Sequence, residues 1–441
     1  MQVTPGSKAK VVGCAKDLNP FSVRLLRYTS HPSDSRARCG LPYPRFGPLP
    51  IRPRRENADR PCHDHGAGFS LGGCPSATGG VRMPIDIRPV PVPEALGTPA
   101  AREFESSAEL GSRLERANWG HEDFAYSAAE LLAAQRNDRH RGHAWIGAWD
   151  GDAMIGRAGL EWERDAGATT VELTLGVLPR HRRRGVGSRL LAAAEDSARD
   201  LGRSTIVAYS DHADAGSAPA EGPVLHAPDG DAALPASVPA AGFAAAHGYD
   251  LAQLERISSL TVGGRADEFR SALDARTAQA NAIGYRLELW TDRTPARLVD
   301  AYAAARGRMA LAVPAGGITI DEEHWDAARV REREEESLDG GRTLLVAAAL
   351  AADGAVAGYT ELELPLGREF AFQSDTLVVV AHRGHGLGML TKLANLARLT
   401  EVAPERTEVY TWNADENEHM LAINVALGFR RCGLEAVWQR R

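Results

Sequence analysis

The stretch that decides the fold is Thr170-Val171-Glu172-Leu173-Thr174-Leu175-Gly176-Val177 with, just beyond it, Arg182-Arg183-Arg184-Gly185-Val186-Gly187. A strand-like apolar run feeds a glycine-rich turn, and Leu190, Leu191, Ala194, Ala198 and Leu201 then recur at helical spacing. The same order returns in the second half of the chain. There Thr376-Leu377-Val378-Val379-Val380 precedes Arg383-Gly384-His385-Gly386-Leu387-Gly388, and Leu390, Leu393, Ala394 and Ala397 follow. Both turns read Arg-x-x-Gly-x-Gly, so two related domains are expected.

Strand, glycine turn and helix together leave several backbone N–H groups unpaired at the positive end of a helix. An anion such as a pyrophosphate fits there, and glycine removes the Cβ that would hold it away. Neither copy is Gly-x-Gly-x-x-Gly, and no Gly-x-x-x-x-Gly-Lys-Ser/Thr occurs, so dinucleotide and P-loop readings are disfavoured.

The repeat resembles the GNAT superfamily of CoA-dependent N-acyltransferases, whose signature is Arg/Gln-x-x-Gly-x-Gly/Ala between a strand and a helix. After strand Thr407–Trp412 come Asn413, Asn417, Met420, Asn424, Gly428 and Phe429, similar to that family's closing segment. Phe243 to Tyr249 is a looser version in the first half. The resemblance covers roughly residues 84–441 and implies an α/β (α+β layered) fold. Two tandem GNAT-like domains are expected, each a mixed, mostly antiparallel sheet flanked by helices, behind a disordered leader. The expected limits are 1–82, 83–260 and 261–441. Such a tandem is similar to mycothiol synthase and other bacterial small-molecule acetyltransferases, although no residue supports that particular substrate.

The resemblance also implies acetyl-CoA as co-substrate. Its implied contacts in the second domain are Leu377, Val378, Val379, His382, Arg383, Gly384, His385, Gly386, Leu387, Gly388, Asn413 and Asn417. In the first they are Val177, Arg182, Arg183, Arg184, Gly185, Val186 and Gly187. The second domain keeps the fuller signature and is expected to bind acyl-CoA productively, the first being degenerate or binding without turnover.

Amine acylation by a thioester needs a placed carbonyl, a base for the ammonium and donors for the developing charge. Family members often place a Glu on the strand before the motif. That position is Glu172 in the first domain and Gln373 in the second. Gln373 cannot take a proton. Asp375, two residues further, should share its face in a regular strand. Glu361 and Glu363 are further candidates. Where many members carry an acidic Tyr, Asn424 and Ala244 stand, leaving water or Tyr410 as proton source. A small, cationic amine is the expected acceptor. The competing reading is a non-catalytic acyl-CoA sensor or scaffold.

Composition sets the outer limits. The chain has 441 residues, enough for two sizeable cores. Residues 1–82 hold 13 Lys+Arg against 5 Asp+Glu, while the remainder holds 38 against 53. That acidity argues against a nucleic-acid partner and favours a cation. The leader also contains Cys62-His63-Asp64-His65 and Cys74, whose spacing matches no zinc finger, so no metal is expected. Met83 is the expected natural start. Beyond it only Cys432 remains, which suits a reducing cytoplasm. No run is apolar enough over sufficient length to span a bilayer, so no membrane partner is expected. A monomer or homodimer is expected. Residues 211–238 read as a flexible insertion, and Arg331 to Glu336 as a solvated helix face.

Overall fold

The computed structural model describes residues 84–136, 139–165, 167–213, 222–309, 316–319 and 323–441. The leader, its Cys/His cluster and the Met83 start lie outside them. In the first half the strands are β1 (Asp86–Pro89), β2 (Arg141–Asp150), β3 (Ala153–Glu163), β4 (Thr170–Val177), β5 (Thr205–Ala213) and β8 (Asp250–Thr261). The second half supplies β9 (Arg286–Thr291), β10 (Arg342–Leu350), β11 (Val356–Pro365), β12 (Phe370–Val378), β13 (Glu408–Ala414) and β14 (Arg430–Arg440). Between β5 and β8 runs a ribbon of β6 (Val224–His226) and β7 (Ala233–Pro235).

Helices α1 (Arg102–Trp119) and α2 (Ala128–Arg136) join β1 to β2. Gly120, at φ +80°, closes α1 in a left-handed cap and turns the chain away. The remaining helices used below are α3 (Val186–Asp200), α4 (Pro239–Ala246), α5 (Ala266–Ala282), α6 (Val299–Arg306), α7 (Ala327–Asp339), α8 (Leu387–Val402) and α9 (Glu418–Leu427).

The expected mixed, mostly antiparallel architecture is present, with parallel pairing at β4·β5 and β12·β13. The two half-sheets are fused. Twelve strands run in the order β1-β2-β3-β4-β5-β14-β8-β13-β12-β11-β10-β9. Each half gives its last strand to the other. β14 pairs with β5 of the first half, β8 pairs with β13 of the second, and β14 and β8 pair with each other. The apolar set Leu434, Ala436 and Trp438 of β14 therefore completes the first-half core with Leu190, Leu191 and Ala194 of α3.

Helices α3 and α8 lie on one face of the sheet, packed on residues such as Val171 and Leu173, or Leu362 and Ala371. Helices α1, α2, α6 and α7 cover the opposite face. On that opposite face the halves cross over. Phe124, from the α1–α2 connection, packs against Phe372, Tyr410 and Trp412 of the second half. Ile318, before α7, packs against Val207 and Val437 at the first half's β5.

Two expectations need correction. Within the stretch read as flexible, the described residues 222–238 form the β6–β7 ribbon, and Asp415 Oδ2 accepts from the Asp231 amide at 2.6 Å. The charged run on α7 is not a solvated face. Arg333 reaches buried Glu363 and Arg331 bonds buried Glu334, because this helix packs on β10 with α2 and α6 beside it.

Candidate active site

β4 pairs with β5 only from Thr170 to Leu173, against Thr205 to Ala208. Beyond that the strands part, β4 staying with β3 and β5 with β14. β12 and β13 part likewise after Phe372 and Tyr410. A fork of this kind turns two rows of backbone N–H and C=O groups toward one opening. An extended amide chain, such as the pantetheine of CoA, can pair with them.

The motif turn closes the end of each fork. Arg182 Nε donates to Val177 O at 2.8 Å, and Arg383 Nε to Val378 O at 3.3 Å. The first motif arginine thus ties the turn to the strand it leaves. Gly185 and Gly386 cap α3 and α8 at φ +76° and +71°, where a Cβ would be strained and would crowd an anion. A Cβ on Gly187 would come within 3.2 Å of Phe243 of α4, and one on Gly388 within 3.3 Å of Ile423 of α9. The second glycine therefore lets the motif helix approach its neighbour. Arg183 and Arg184 are exposed beside the first turn. His382 lies beside the second and bonds Tyr285 Oη at 3.0 Å through Nδ1, with His385 near the same ring.

The two forks differ in access. In the first half Thr174, Leu175 and Gly176 are half-buried, whereas in the second every residue of β12 is buried. Thr376 Oγ1 bonds Thr360 Oγ1 at 2.7 Å, and Leu377, Val378 and Val379 are packed into the core. Asn413, fully buried, accepts from Asn424 Nδ2, and Asn424 Oδ1 accepts from buried Lys392 Nζ at 3.0 Å. This chain ties β13, α9 and α8 together across the fork. Asn417 caps α9, its Oδ1 accepting from Met420 N at 3.3 Å. Both side chains are buried; Asn413 has an internal partner in Asn424, whereas Asn417 bonds through Oδ1 and its Nδ2 has no hydrogen-bond partner among the described residues.

On the opposite face of the sheet lie the carboxylates. Glu172 faces Glu161, its register partner on β3. His143 Nδ1 lies 3.9 Å from Glu161 Oε1. Burial, aided by Arg141 and Arg164, lowers His143 to about 3 and so keeps it neutral. In the second half, Gln373 and Asp375 do not share a face as a regular strand would require. Thr360 pairs with Thr376 but Leu362 with Gln373, so Ser374 and Asp375 together oppose Glu361. This bulge leaves Gln373 Nε2 bonded to Thr360 Oγ1 at 2.8 Å and turns Asp375 to the carboxylate face.

There Arg306 of α6 enters between Glu361 and Asp375, reaching Asp375 Oδ2 at 3.1 Å. Tyr359 Oη donates to Asp375 at 3.2 Å, and the Trp325 ring centroid lies 4.3 Å from the guanidinium. Burial pushes Asp375 up, Arg306 draws it back, and Glu361 pushes it further up. Glu363 differs. Burial alone would raise it, but Arg333 and Arg342 outweigh that and hold it at about 2. Tyr410 donates to Asp123 Oδ2 at 2.9 Å, and burial with that carboxylate raises its hydroxyl far above the ordinary value.

Sequence reasoning missed Glu161 and Arg306. Glu161 could have been found, since it lies five residues beyond Gly156 on β3 as Glu363 lies five beyond Gly358 on β11, and those glycines pair with Val177 and Val378 just ahead of the two motifs. Arg306 carries no local signal, because only packing brings α6 over β11 and β12.

Residues 106–220 match the model of the Acetyltransferase (GNAT) family, a span that contains Glu172 and the first motif turn. The chain has the fold of a tandem GNAT protein. Its fold is similar to a tandem GNAT protein from the clavulanic acid biosynthesis pathway, solved without acetyl-CoA. That match is 24% identical, has TM-score 0.61 and covers 81% of this chain and 98% of that one. A GCN5-related glucosamine N-acetyltransferase region of a fungal multi-domain GH3 β-N-acetylglucosaminidase matches at 13% identity and TM-score 0.51, over 81% and 38% of the respective chains. No curated protein matches the chain in sequence.

Proposed function

We propose that the protein moves an acetyl group from acetyl-CoA to the amine of a small, cationic molecule, by direct attack in a ternary complex. The repeat units are taken as 83–260 and 261–441, with the working site in the first. One observation carries this choice: among the described residues, the first-half fork combines half-buried strand residues, a motif turn and the half-buried Glu172 opposite Glu161, whereas every residue of β12 is buried. The fuller motif of the second half had pointed the other way. Its fork, however, is crossed by Asn413, Asn424 and Lys392, and its carboxyls are spanned by Arg306.

In this reading the pyrophosphate sits on the amides that open α3, with Arg183 and Arg184 beside it. The pantetheine threads between β4 and β5, and backbone N–H groups at the fork polarise the thioester carbonyl. The acceptor approaches from the carboxylate face. Its nitrogen forms the C–N bond, Glu172 takes the nitrogen's proton, and the C–S bond breaks to release the CoA thiolate. No acyl-enzyme forms, so Cys432 has no part. The second half acts as a scaffold that completes the acceptor face.

The test is thiol release from acetyl-CoA by the full chain against a panel of small amines. Gly185→Glu should abolish amine-dependent release, while Gly386→Glu should retain it. Loss with Gly386→Glu alone would move the site to the second half. No release with any amine, despite stabilisation by acetyl-CoA, would favour the sensor reading.

A further inference from the structure

Both half-sheets set two carboxyls opposite each other on the same face: Glu161 with Glu172, and Glu361 with Asp375. The two pairs are settled differently. In the second, Arg306 lies between the carboxyls and supplies the compensating charge. In the first, Glu161 is 7% exposed, and its Oε1 has no hydrogen-bond partner among the described residues.

The groups around Glu161 can be counted by element. β2 presents Arg141 and His143, β3 Glu163, β4 Glu172, and α7 Glu336. His143 is neutral. Arg141 is engaged by Glu163 at 2.9 Å and by Glu323 at 3.0 Å. Carboxylates outnumber cations at this spot, and directly opposed like charges on adjacent strands repel. Glu161 is buried and Glu172 half-buried, so the negative charge of Glu172 opposite it favours a proton on the drier Glu161.

We propose that Glu161 and Glu172 hold one proton between them, with Glu161 the proton-bearing partner that positions Glu172, as carboxylate, for the acceptor amine. This rests on the first-half site proposed above. The pair then offers one negative charge to a cationic amine rather than two. During acylation Glu172 gains the nitrogen's proton, so the pair passes from one proton to two. It returns to one when a proton goes to water or to the departing thiolate. Glu161 keeps its own proton throughout and is a positioning residue.

Two measurements on the full chain test this without turnover. The first is the infrared difference spectrum at neutral pH between wild type and Glu161→Gln. The variant should subtract a carboxylic-acid band, and subtraction of a carboxylate band would overturn the proposal. The second is the melting temperature as a function of pH. Burial raises Glu161 well above the ordinary carboxylate value, and the nearby carboxylates add to that rise. A group so raised stabilises the fold below its unfolded value and loses that contribution as pH rises through the folded one. Glu161→Gln should therefore gain melting temperature relative to wild type as pH increases, by a few degrees. A difference that stays constant with pH would contradict the proposal.

If Glu161→Gln fails to fold, Glu172→Gln serves. Without its neighbour's charge Glu161 ionises more readily, so the pH at which the acid band is lost on titration should fall, and a midpoint unchanged from wild type would overturn the shared proton. Should acetyl transfer prove absent, these readouts still decide whether the pair shares a proton.

Discussion

At Arg306 one side chain separates the two halves chemically. Its guanidinium is enclosed by Glu361, Asp375, Tyr302, Tyr359 and Trp325, all buried. Arg306→Ala would leave two facing carboxyls in a dry site, and removing one partner of a buried pair costs about 3–5 kcal/mol. The expected result is a large fall in denaturant midpoint with little change in the thiol-release pH profile. Glu172→Gln should do the reverse. It should keep stability near wild type and cut amine-dependent thiol release by about 10²–10⁴-fold, the usual contribution of a general base. A variant with full activity would remove Glu172 from the mechanism. The motif glycines were legible in the sequence because their reasons are local: a positive φ at Gly185 and Gly386, and close helix approach at Gly187 and Gly388. The cap that Asn417 forms on α9 is likewise local, its Oδ1 accepting from Met420 N three residues on.

Among the elements, α7 shows how charge pattern alone can deceive. Its Arg/Glu run has the composition of a solvated face, yet Arg329 reaches Glu163 of the first half at 3.2 Å and Arg333 reaches Glu363 of the second. Residues four apart share a helix side, so one face of α7 grips both half-sheets. α2 answers from the other side, Glu130 Oε1 lying 2.7 Å from Arg342 Nη2. This helix-to-sheet lock has a pH signature. Glu363 is held at about 2, below its ordinary 4.5. A depressed carboxyl stabilises the fold above its unfolded value and loses that contribution as pH falls through the folded one. Stability should therefore drop between pH about 4.5 and about 2, and Glu363→Gln should flatten that limb in acid-denaturation curves. The β12 bulge belongs to the same lesson. Strand and period were legible, but the extra residue that sends Asp375 to the other face from Gln373 was not, because register is set by the neighbouring strand.

For the whole molecule the decisive fact is the exchange of β8 and β14. The repeat in sequence announced two domains of one kind, and the α/β layers, parallel pairs and motif helices follow that reading. The fusion into one sheet was not legible, since pairing partners far apart in sequence leave no local pattern. It has a direct consequence. Ending the chain at Gly428 removes β14, and with it Leu434, Ala436 and Trp438 from the first-half core. Such a truncation should unfold both halves together, and residues 83–260 alone should not give a cooperative melt. A stable, folded first half would contradict the exchange. Among the described residues no helix is long and apolar enough to cross a membrane. The central claim is that acetyl-CoA enters the first-half fork, and calorimetric titration of acetyl-CoA into the full chain tests it most directly. The account predicts one site per chain, lost with Gly185→Glu and kept with Gly386→Glu. Binding that survives Gly185→Glu and disappears with Gly386→Glu would contradict it.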